Sequence, residues 1–206
     1  RAIGSSLAIA HPELTFFGEE SGYSEDLPNF CCLIDALDGT KSYIKNEPAF
    51  TGMAVLIEDG YAVASLIYNY TTDEIFTAFR GIGAYKNGVK LDISQTEMPK
   101  TAFCRERMVE DVNKLLVEKE SSIICESGPS GAGYGFSLVA DGKLAARFNF
   151  PHFPGGGHIH DYAPGALLVE EAGGVLINIE QTSDYSIHTK SFVACHPQIA
   201  PVLSGL

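Results

Sequence analysis

The sequence predicts a mixed α/β protein in two halves, with a boundary near Pro99. In the first half, apolar runs of strand length are separated by the turns Glu58-Asp59-Gly60 and Asn87-Gly88, which is typical of an antiparallel sheet. In the second half, segments with helical spacing alternate with short apolar runs, which indicates an α/β layer. We therefore assign residues 1–99 to an antiparallel-sheet half and residues 100–206 to an α/β half.

The strands of the first half follow from its apolar runs. Residues 30–34, Phe-Cys-Cys-Leu-Ile, predict a buried strand because five non-polar residues lie between turn formers. Residues 49–57 and 61–70 flank the first turn and predict a long hairpin, and residues 74–80 predict a further strand.

The second half contains three predicted helices. Apolar residues recur at helical spacing over residues 105–118, and two more helices are expected at 131–140 and 161–172. The last of these ends at Gly173-Gly174, a typical C-terminal stop. Short apolar runs predict the strands of this half at residues 122–125, 143–150, 175–179 and 191–195. Residues 151–160 are rich in Pro, Gly and His and predict a loop.

The composition argues against two classes of partner. The 206 residues carry a net charge of −12 without a basic run, which disfavours nucleic-acid polymers and anionic membranes. No apolar run is long enough to span a bilayer. Five cysteines, including the pair Cys31-Cys32 in an apolar run, favour reduced thiols in a cytoplasmic protein. Because the chain opens on Arg1 with helical character, we expect an N-terminal portion to be missing from this sequence.

Two carboxylates follow the first apolar strand directly. Asp35 and Asp38 are costly at the end of a buried strand, because each resists leaving water and repels the other. A cation between them would offset that cost. Gly39 and Thr40 then offer backbone N–H groups at an expected helix start, where a phosphate oxygen is favoured. This junction indicates metal and phosphate binding together.

Two further acidic clusters are present, in Gly18-Glu19-Glu20-Ser21-Gly22 and at Asp161. Alone, each cluster has an ordinary interpretation. Asp161 is expected to cap its helix, Glu19 to be a solvated loop acid, and Asp38-Gly39 to be a turn. Their order along one chain is far more specific than any one of them.

In this order, Gly-Glu-Glu, Asp-x-x-Asp-Gly-Thr and Asp-x-Ala-x-Gly-Ala-x-x-Val-Glu-Glu-Ala-Gly-Gly resemble the inositol monophosphatase family of metal-dependent, lithium-sensitive phosphatases. The resemblance extends from Pro12 to Gly174. It implies a layered αβαβα sandwich with a mainly antiparallel first sheet and a smaller mixed second sheet. The family's N-terminal helical pair would be missing here. The active site would lie between the two halves, and a homodimer is possible.

The resemblance also implies the metal ligands. Asp35 would bridge two ions, with Glu19 and the backbone carbonyl of Leu37 completing the first site. Asp38 and Asp161 would complete the second. Two or three Mg²⁺ ions are expected, with Mn²⁺ as a possible substitute, because hard cations prefer oxygen ligands.

The remaining implied roles concern catalysis and phosphate. Thr40 and Glu19 would activate the attacking water, with Asp38 also in the catalytic set, and no covalent phospho-enzyme would form. The amides of Gly39 and Thr40 would hold the phosphate. Ala36 stands where the family usually has Pro, which loosens the turn without removing a ligand.

The substrate is expected to be a small phosphate ester, a 3′(2′),5′-bisphosphate nucleotide or an inositol monophosphate. Lys41 resembles the nucleotidase branch and would neutralise a second phosphate. Three residues would lie near the sugar or cyclitol: Ser130, Gly131 and Ala132. His160 stands where the family has Trp, and it would either pack over the site or contact substrate.

Three alternative interpretations are left open. A haloacid-dehalogenase-type phosphatase also places an Asp motif at a strand end, but its two Asp are separated by one residue, whereas two separate Asp35 from Asp38. The second is a non-catalytic regulatory domain that binds metal or phosphate. The third is transition-metal binding by His152, His158 and His160, which lack Cys partners at zinc-like spacing.

Overall fold

The computed structural model describes residues 11–19, 27–150, 157–179 and 185–203. It confirms the mixed α/β class, with one sheet of seven strands and one of five. The predictions for residues 1–10, Glu20 and His152 lie outside the described residues, as does most of the expected loop 151–160.

The larger sheet contains the first seven strands in chain order. They are β1 (Thr15–Gly18), β2 (Phe30–Asp38), β3 (Thr51–Glu58), β4 (Tyr61–Asn69), β5 (Glu74–Phe79), β6 (Gly83–Lys86) and β7 (Val89–Leu91). Only β1 and β2 pair in parallel, and the other neighbours are antiparallel. This is the mainly antiparallel sheet expected for the first half.

Both predicted tight turns are confirmed by their backbone angles. Asp59 and Gly60 have φ of 48° and 80°, and Asn87 and Gly88 have φ of 50° and 79°. Two consecutive positive φ angles characterise the type I′ turn, whose twist matches that of a β-hairpin. The local sequence therefore fixes the register of β3 against β4 and of β6 against β7.

The smaller sheet is mixed, as expected, and has the strand order β11-β12-β10-β8-β9. Its strands are β8 (Thr101–Cys104), β9 (Ile124–Ser127), β10 (Ala146–Asn149), β11 (Val175–Asn178) and β12 (Phe192–Cys195). β8 is parallel to both β9 and β10, whereas β12 is antiparallel to both β10 and β11. β8 was not predicted, and β9 begins two residues later than expected.

The helices lie between and outside the sheets. They are α1 (Thr40–Ile44), α2 (Val109–Glu118), α3 (Ala132–Ala140), α4 (Ile159–Glu171) and α5 (Ala200–Leu203). Helices α3 and α4 pack between the two sheets, and α2 covers the outer face of the smaller one. The described layers are therefore sheet, helices, sheet and helix. Among the described residues, no helix has the length and apolar character needed to cross a membrane.

One apolar core joins both halves of the chain. Leu33 and Ile67 of the larger sheet belong to the same buried cluster as Phe136 of α3 and Leu168 of α4. Helices α3 and α4 can approach closely because Gly165 has no side chain. A Cβ at this position would lie 2.2 Å from the Phe136 ring. The boundary near Pro99 stays a prediction, since this core crosses it.

Candidate active site

A β-bulge at the end of β2 places two carboxylates on one face of the larger sheet. Asp35 pairs with Met53 and Asp38 with Thr51, so three residue steps on β2 oppose two on β3. In a regular strand, residues three apart point to opposite faces. The Asp38 side chain reaches the start of α3. Both Asp35 and Asp38 are buried, with exposures of 3% and 8%.

Two hydrogen bonds stabilise the bulge. The Tyr70 hydroxyl donates to the carbonyl of Ala36 over 2.9 Å, and the Leu37 amide donates to Asp35 Oδ1 over 2.9 Å. Ala36 therefore keeps an ordered turn although it lacks the constraint of a proline.

Asp38 caps helix α3 from a distant part of the chain. The amides of Ala132 and Gly133 donate to its two carboxylate oxygens over 3.0 and 2.8 Å, and the Thr51 hydroxyl donates over 2.9 Å. The preceding residue, Gly131, has no side chain that can cap the helix. Burial raises the pKa of Asp38, although these three bonds act in the opposite direction. A carboxylate has about four acceptor positions, so one position is left for another partner.

Asp35 lies beside Glu19, which follows β1, the strand parallel to β2. Burial raises the pKa of Asp35 to about 7, and the negative charges of Glu19 and Asp38 contribute to the increase. A hydrogen bond joins the Asp35 and Glu19 side chains. A divalent cation between the two side chains would offset the repulsion of their negative charges.

Asp161 brings a fourth carboxylate from the start of α4. Its Oδ2 accepts a hydrogen bond from the His158 amide over 2.7 Å, so the expected capping role is present. Its Oδ1 lies 3.2 Å from His160 Nε2. Burial acts to raise the pKa of Asp161, but the contacts with His160 and His158 outweigh it and lower the pKa. Asp161 also lies within electrostatic range of Asp38.

His160 is 2% exposed and stacks on His158, with ring centroids 5.3 Å apart. Within the described part of the chain it is not among the residues lining the adjoining cavity. This position suits packing beside Asp161 better than contact with substrate.

The donor set fits Mg²⁺ chemically, because it consists of carboxylate and carbonyl oxygens. The carbonyl of Leu37 accepts a hydrogen bond from the Thr40 hydroxyl over 3.1 Å and keeps a second lone pair. Among the described residues, however, no three His, Cys, Asp or Glu side chains form a ready-made metal cage. Asp38 and Asp161 accept hydrogen bonds from the protein, but each carboxylate keeps at least one acceptor position that a cation could use.

A cavity of about 990 Å³ opens beside Asp38 and Asp161, whereas Glu19, Asp35 and Leu37 are not among its lining residues. Seven of the predicted site residues line it: Asp38, Gly39, Thr40, Lys41, Ser130, Ala132 and Asp161. Five cationic side chains also line it: Lys41, Lys45, Arg105, Arg107 and Arg147. The cavity lining therefore combines these five cations with four carboxylates, those of Asp38, Glu47, Glu106 and Asp161.

The start of α1 is held against the segment before α3. Ser42 donates its backbone N–H to the Ser130 hydroxyl over 3.0 Å, and the two hydroxyls lie 2.9 Å apart. Gly39 has φ of 83°, and a Cβ there would lie 2.7 Å from the carbonyl oxygen of Ala49. Only glycine fits this position without strain. Gly131 is packed against the same carbonyl and lies behind the cavity wall.

Several cavity or site residues were not predicted, among them Thr51, Arg105 and Arg147. Thr51 carries no local signal, because its role depends on the bulge opposite it. Arg147 does have a local sequence signal, because it is a charged residue within the otherwise apolar run Leu144-Ala145-Ala146-Arg147-Phe148.

The sequence was compared with models of known protein families. Residues 1–204 match the model described as the inositol monophosphatase family. The chain belongs to the inositol monophosphatase family. This confirms the resemblance and accounts for the order of its three acidic motifs.

Several members of the family can be compared directly with the chain. It is 31% identical over 191 residues to the Nus factor SuhB of Xylella fastidiosa, covering 87% of this chain and 66% of that protein. It is 30% identical over 180 residues to the 3′(2′),5′-bisphosphate nucleotidase CysQ of Buchnera aphidicola, covering 84% of this chain and 65% of that protein. The chain thus spans just under two thirds of these relatives.

A solved structure supports the same fold assignment. The extragenic suppressor protein SuhB of Bartonella henselae has a TM-score of 0.75 and 29% identity, covering 97% of this chain and 81% of that one. The layered arrangement of two sheets with helices between them is therefore the fold of this family.

Proposed function

We propose that this chain carries the active site of a Mg²⁺-dependent phosphomonoesterase acting on a small phosphate ester. The observation that supports this most strongly is the grouping of Glu19, Asp35, Asp38 and Asp161. They come from three separate segments. Asp35 lies within electrostatic range of Glu19 and Asp38, and Asp38 within range of Asp161. Asp38 and Asp161 line the cavity. A purely structural role does not require four acids to group in this way, two of them at a cavity.

The proposed ligand sets are those implied by the family. Glu19, Asp35 and the carbonyl of Leu37 would hold one Mg²⁺, and Asp35, Asp38 and Asp161 another, with a third ion possible and Mn²⁺ as a substitute. When bound, the cations neutralise charge on the phosphate and activate the attacking water.

The chain's own groups would position the reactants. Gly39 and Thr40 line the cavity, and their amides would donate to a phosphate oxygen. The Thr40 hydroxyl donates its proton to Leu37, so its lone pairs can accept a hydrogen bond from the attacking water. Water then attacks phosphorus, the ester bond breaks, and the leaving alcohol takes a proton from solvent. No covalent phospho-enzyme is formed.

The substrate would be a bisphosphate nucleotide or an inositol monophosphate. Ser130 and Ala132 line the cavity beside Gly131 and would lie near the sugar or cyclitol, and Lys41 near a further phosphate. Lithium would inhibit the enzyme. We also propose a cytoplasmic location and a homodimer. The location is supported by five buried cysteines, none of which forms a disulfide.

The direct test is phosphate release from adenosine 3′,5′-bisphosphate and inositol 1-phosphate, with Mg²⁺ and with a chelator. Release that requires Mg²⁺ is expected. Failure to hydrolyse either ester, with intact folding, would favour the non-catalytic alternative. A stable aspartyl-phosphate on Asp35 would favour the haloacid-dehalogenase type.

A further inference from the structure

Arg147 is a buried charge without a described partner. It lies on β10 between Phe103 of β8 and Ala194 of β12, which are both apolar. The residue is only 6% exposed, and its Nε is fully buried without a hydrogen-bond partner. Within the part of the chain that the structure describes, no ion pair joins Arg147 to a carboxylate.

Two glycines leave the space in which the Arg147 side chain lies. A Cβ on Gly128 would be 3.0 Å from Arg147 Nη1, and a Cβ on Gly135 would be 3.0 Å from its Cδ and 3.2 Å from its Nε. The guanidinium therefore lies against the first turns of α3 and the end of β9. Arg147 and Gly128 both line the cavity.

The positive charge on this wall is only partly compensated. Burial lowers the pKa of Arg147, and Asp38 opposes this through space. Burial also lowers the pKa of Arg105, a second cavity residue, and Arg107 adds to the effect. A buried charge without a hydrogen-bonded partner destabilises a fold. The buried Arg147 and the partly buried Arg105 on one cavity wall favour an anionic ligand.

We propose that Arg147, together with Arg105, binds a second phosphate group of the substrate, apart from the phosphate that is hydrolysed. This rests on the proposed function of the cavity. A guanidinium donates two parallel N–H bonds to a phosphate, and the glycine-lined space holds it ready to do so. The chain would then discriminate bisphosphate esters from monophosphate esters through Arg147 of the smaller sheet and Arg105, which directly follows β8.

The test compares two esters that differ only in the second phosphate, adenosine 3′,5′-bisphosphate and adenosine 3′-monophosphate. The wild-type protein should prefer the bisphosphate in kcat/KM by about 10- to 100-fold, because charge-assisted hydrogen bonds to phosphate are strong. Arg147→Met should abolish most of that preference, and Arg147→Lys should retain part of it. Arg80→Met is the matched control, since Arg80 pairs with Glu170 outside the cavity and should leave the ratio unchanged.

A binding measurement separates this proposal from the proposed catalysis. Calorimetric titration of the chelator-treated protein with adenosine 3′,5′-bisphosphate should show binding that Arg147→Met weakens at least about tenfold. If neither ester is hydrolysed but this loss is seen, the phosphatase assignment fails and the subsite stands. The subsite is overturned if the wild-type protein shows no preference for the bisphosphate, or if Arg147→Met lowers kcat/KM equally for both esters.

A stability measurement addresses a purely structural role for Arg147. Because the guanidinium has no described partner, Arg147→Met should unfold at the same temperature as the wild-type protein or a higher one. A lower unfolding temperature together with an unchanged substrate ratio would overturn the proposal in favour of structural compensation of Asp38.

Discussion

The carboxylate of Asp38 accepts a hydrogen bond from the amide of Ala132, a residue 94 positions further along the chain. Through this bond, an acid at the end of the larger sheet caps a helix of the second half. The same acid lines the cavity and belongs to the proposed metal site. Structure and proposed catalysis are therefore coupled at this side chain.

Replacing Asp38 should lower stability even without metal. Asp38→Ala leaves the amides of Ala132 and Gly133 unpaired, and we expect the free energy of unfolding to fall by about 1–2 kcal/mol, as for other lost helix caps. Thr51→Val removes one of the three hydrogen bonds to Asp38 and should lower the free energy of unfolding by about 1 kcal/mol. Urea unfolding in chelator measures both. An Asp38→Ala variant as stable as the wild-type protein would contradict the capping role.

Asp35 should couple stability to Mg²⁺. In chelator, Asp35→Asn should stabilise the fold, because it removes a buried charge repelled by Glu19 and Asp38. Added Mg²⁺ should stabilise the wild-type protein by about 2.7 kcal/mol at 100 times its Kd and the variant by much less. Asp59→Asn is the matched control, since Asn is favoured in that turn. Equal stabilisation of the wild-type protein and the Asp35→Asn variant by Mg²⁺ would argue against a metal site at Asp35.

Asp161→Asn should separate activity from folding. The Asn oxygen can still accept the His158 amide bond that caps α4, so unfolding should change little. Phosphate release should fall at least about a hundredfold, because a charged ligand facing the phosphate is lost. Circular dichroism and a phosphate assay measure the two effects. Near-normal turnover would contradict the assignment of Asp161.

Lys86 should make stability depend on acid pH. Its ammonium lies 2.8 Å from Asp141 and also pairs with Glu74, joining β5 and β6 to the end of α3. The hydrogen bond from Lys86 lowers the pKa of Glu74. A carboxyl group whose pKa is lowered on folding stabilises the fold above its unfolded pKa, and this is lost as the pH falls through its folded pKa.

Lys86→Met should therefore lower the free energy of unfolding by about 1 kcal/mol at pH 7. Below about pH 4, the free energies of unfolding of the variant and the wild-type protein should become more similar. Lys143→Met is the control, since Lys143 also pairs with Asp141 but its side chain is 56% exposed. A difference that is constant from neutral to acid pH would show that the alkyl chain of Lys86, and not its charge, stabilises the fold.

The features predicted from sequence were those with local causes. Asp59-Gly60 and Asn87-Gly88 specify their turns through their own backbone preferences, and the acidic motifs are contiguous. β8 was missed because four residues after Pro99 form a strand only by pairing with β9 and β10. The bulge after Asp35 was missed because it is defined by the register of β3. Likewise, the capping of α3 by Asp38 depends on residues that only the fold brings together.

The most direct test of the central claim is a crystal grown or soaked with Mn²⁺, with its anomalous scattering measured. The account predicts anomalous peaks within coordination distance of the carboxylates of Asp35, Asp38 and Asp161, at about 2.0–2.4 Å as for oxygen ligands. Absence of any peak there at millimolar Mn²⁺, or an ion bound only elsewhere on the protein, would contradict it.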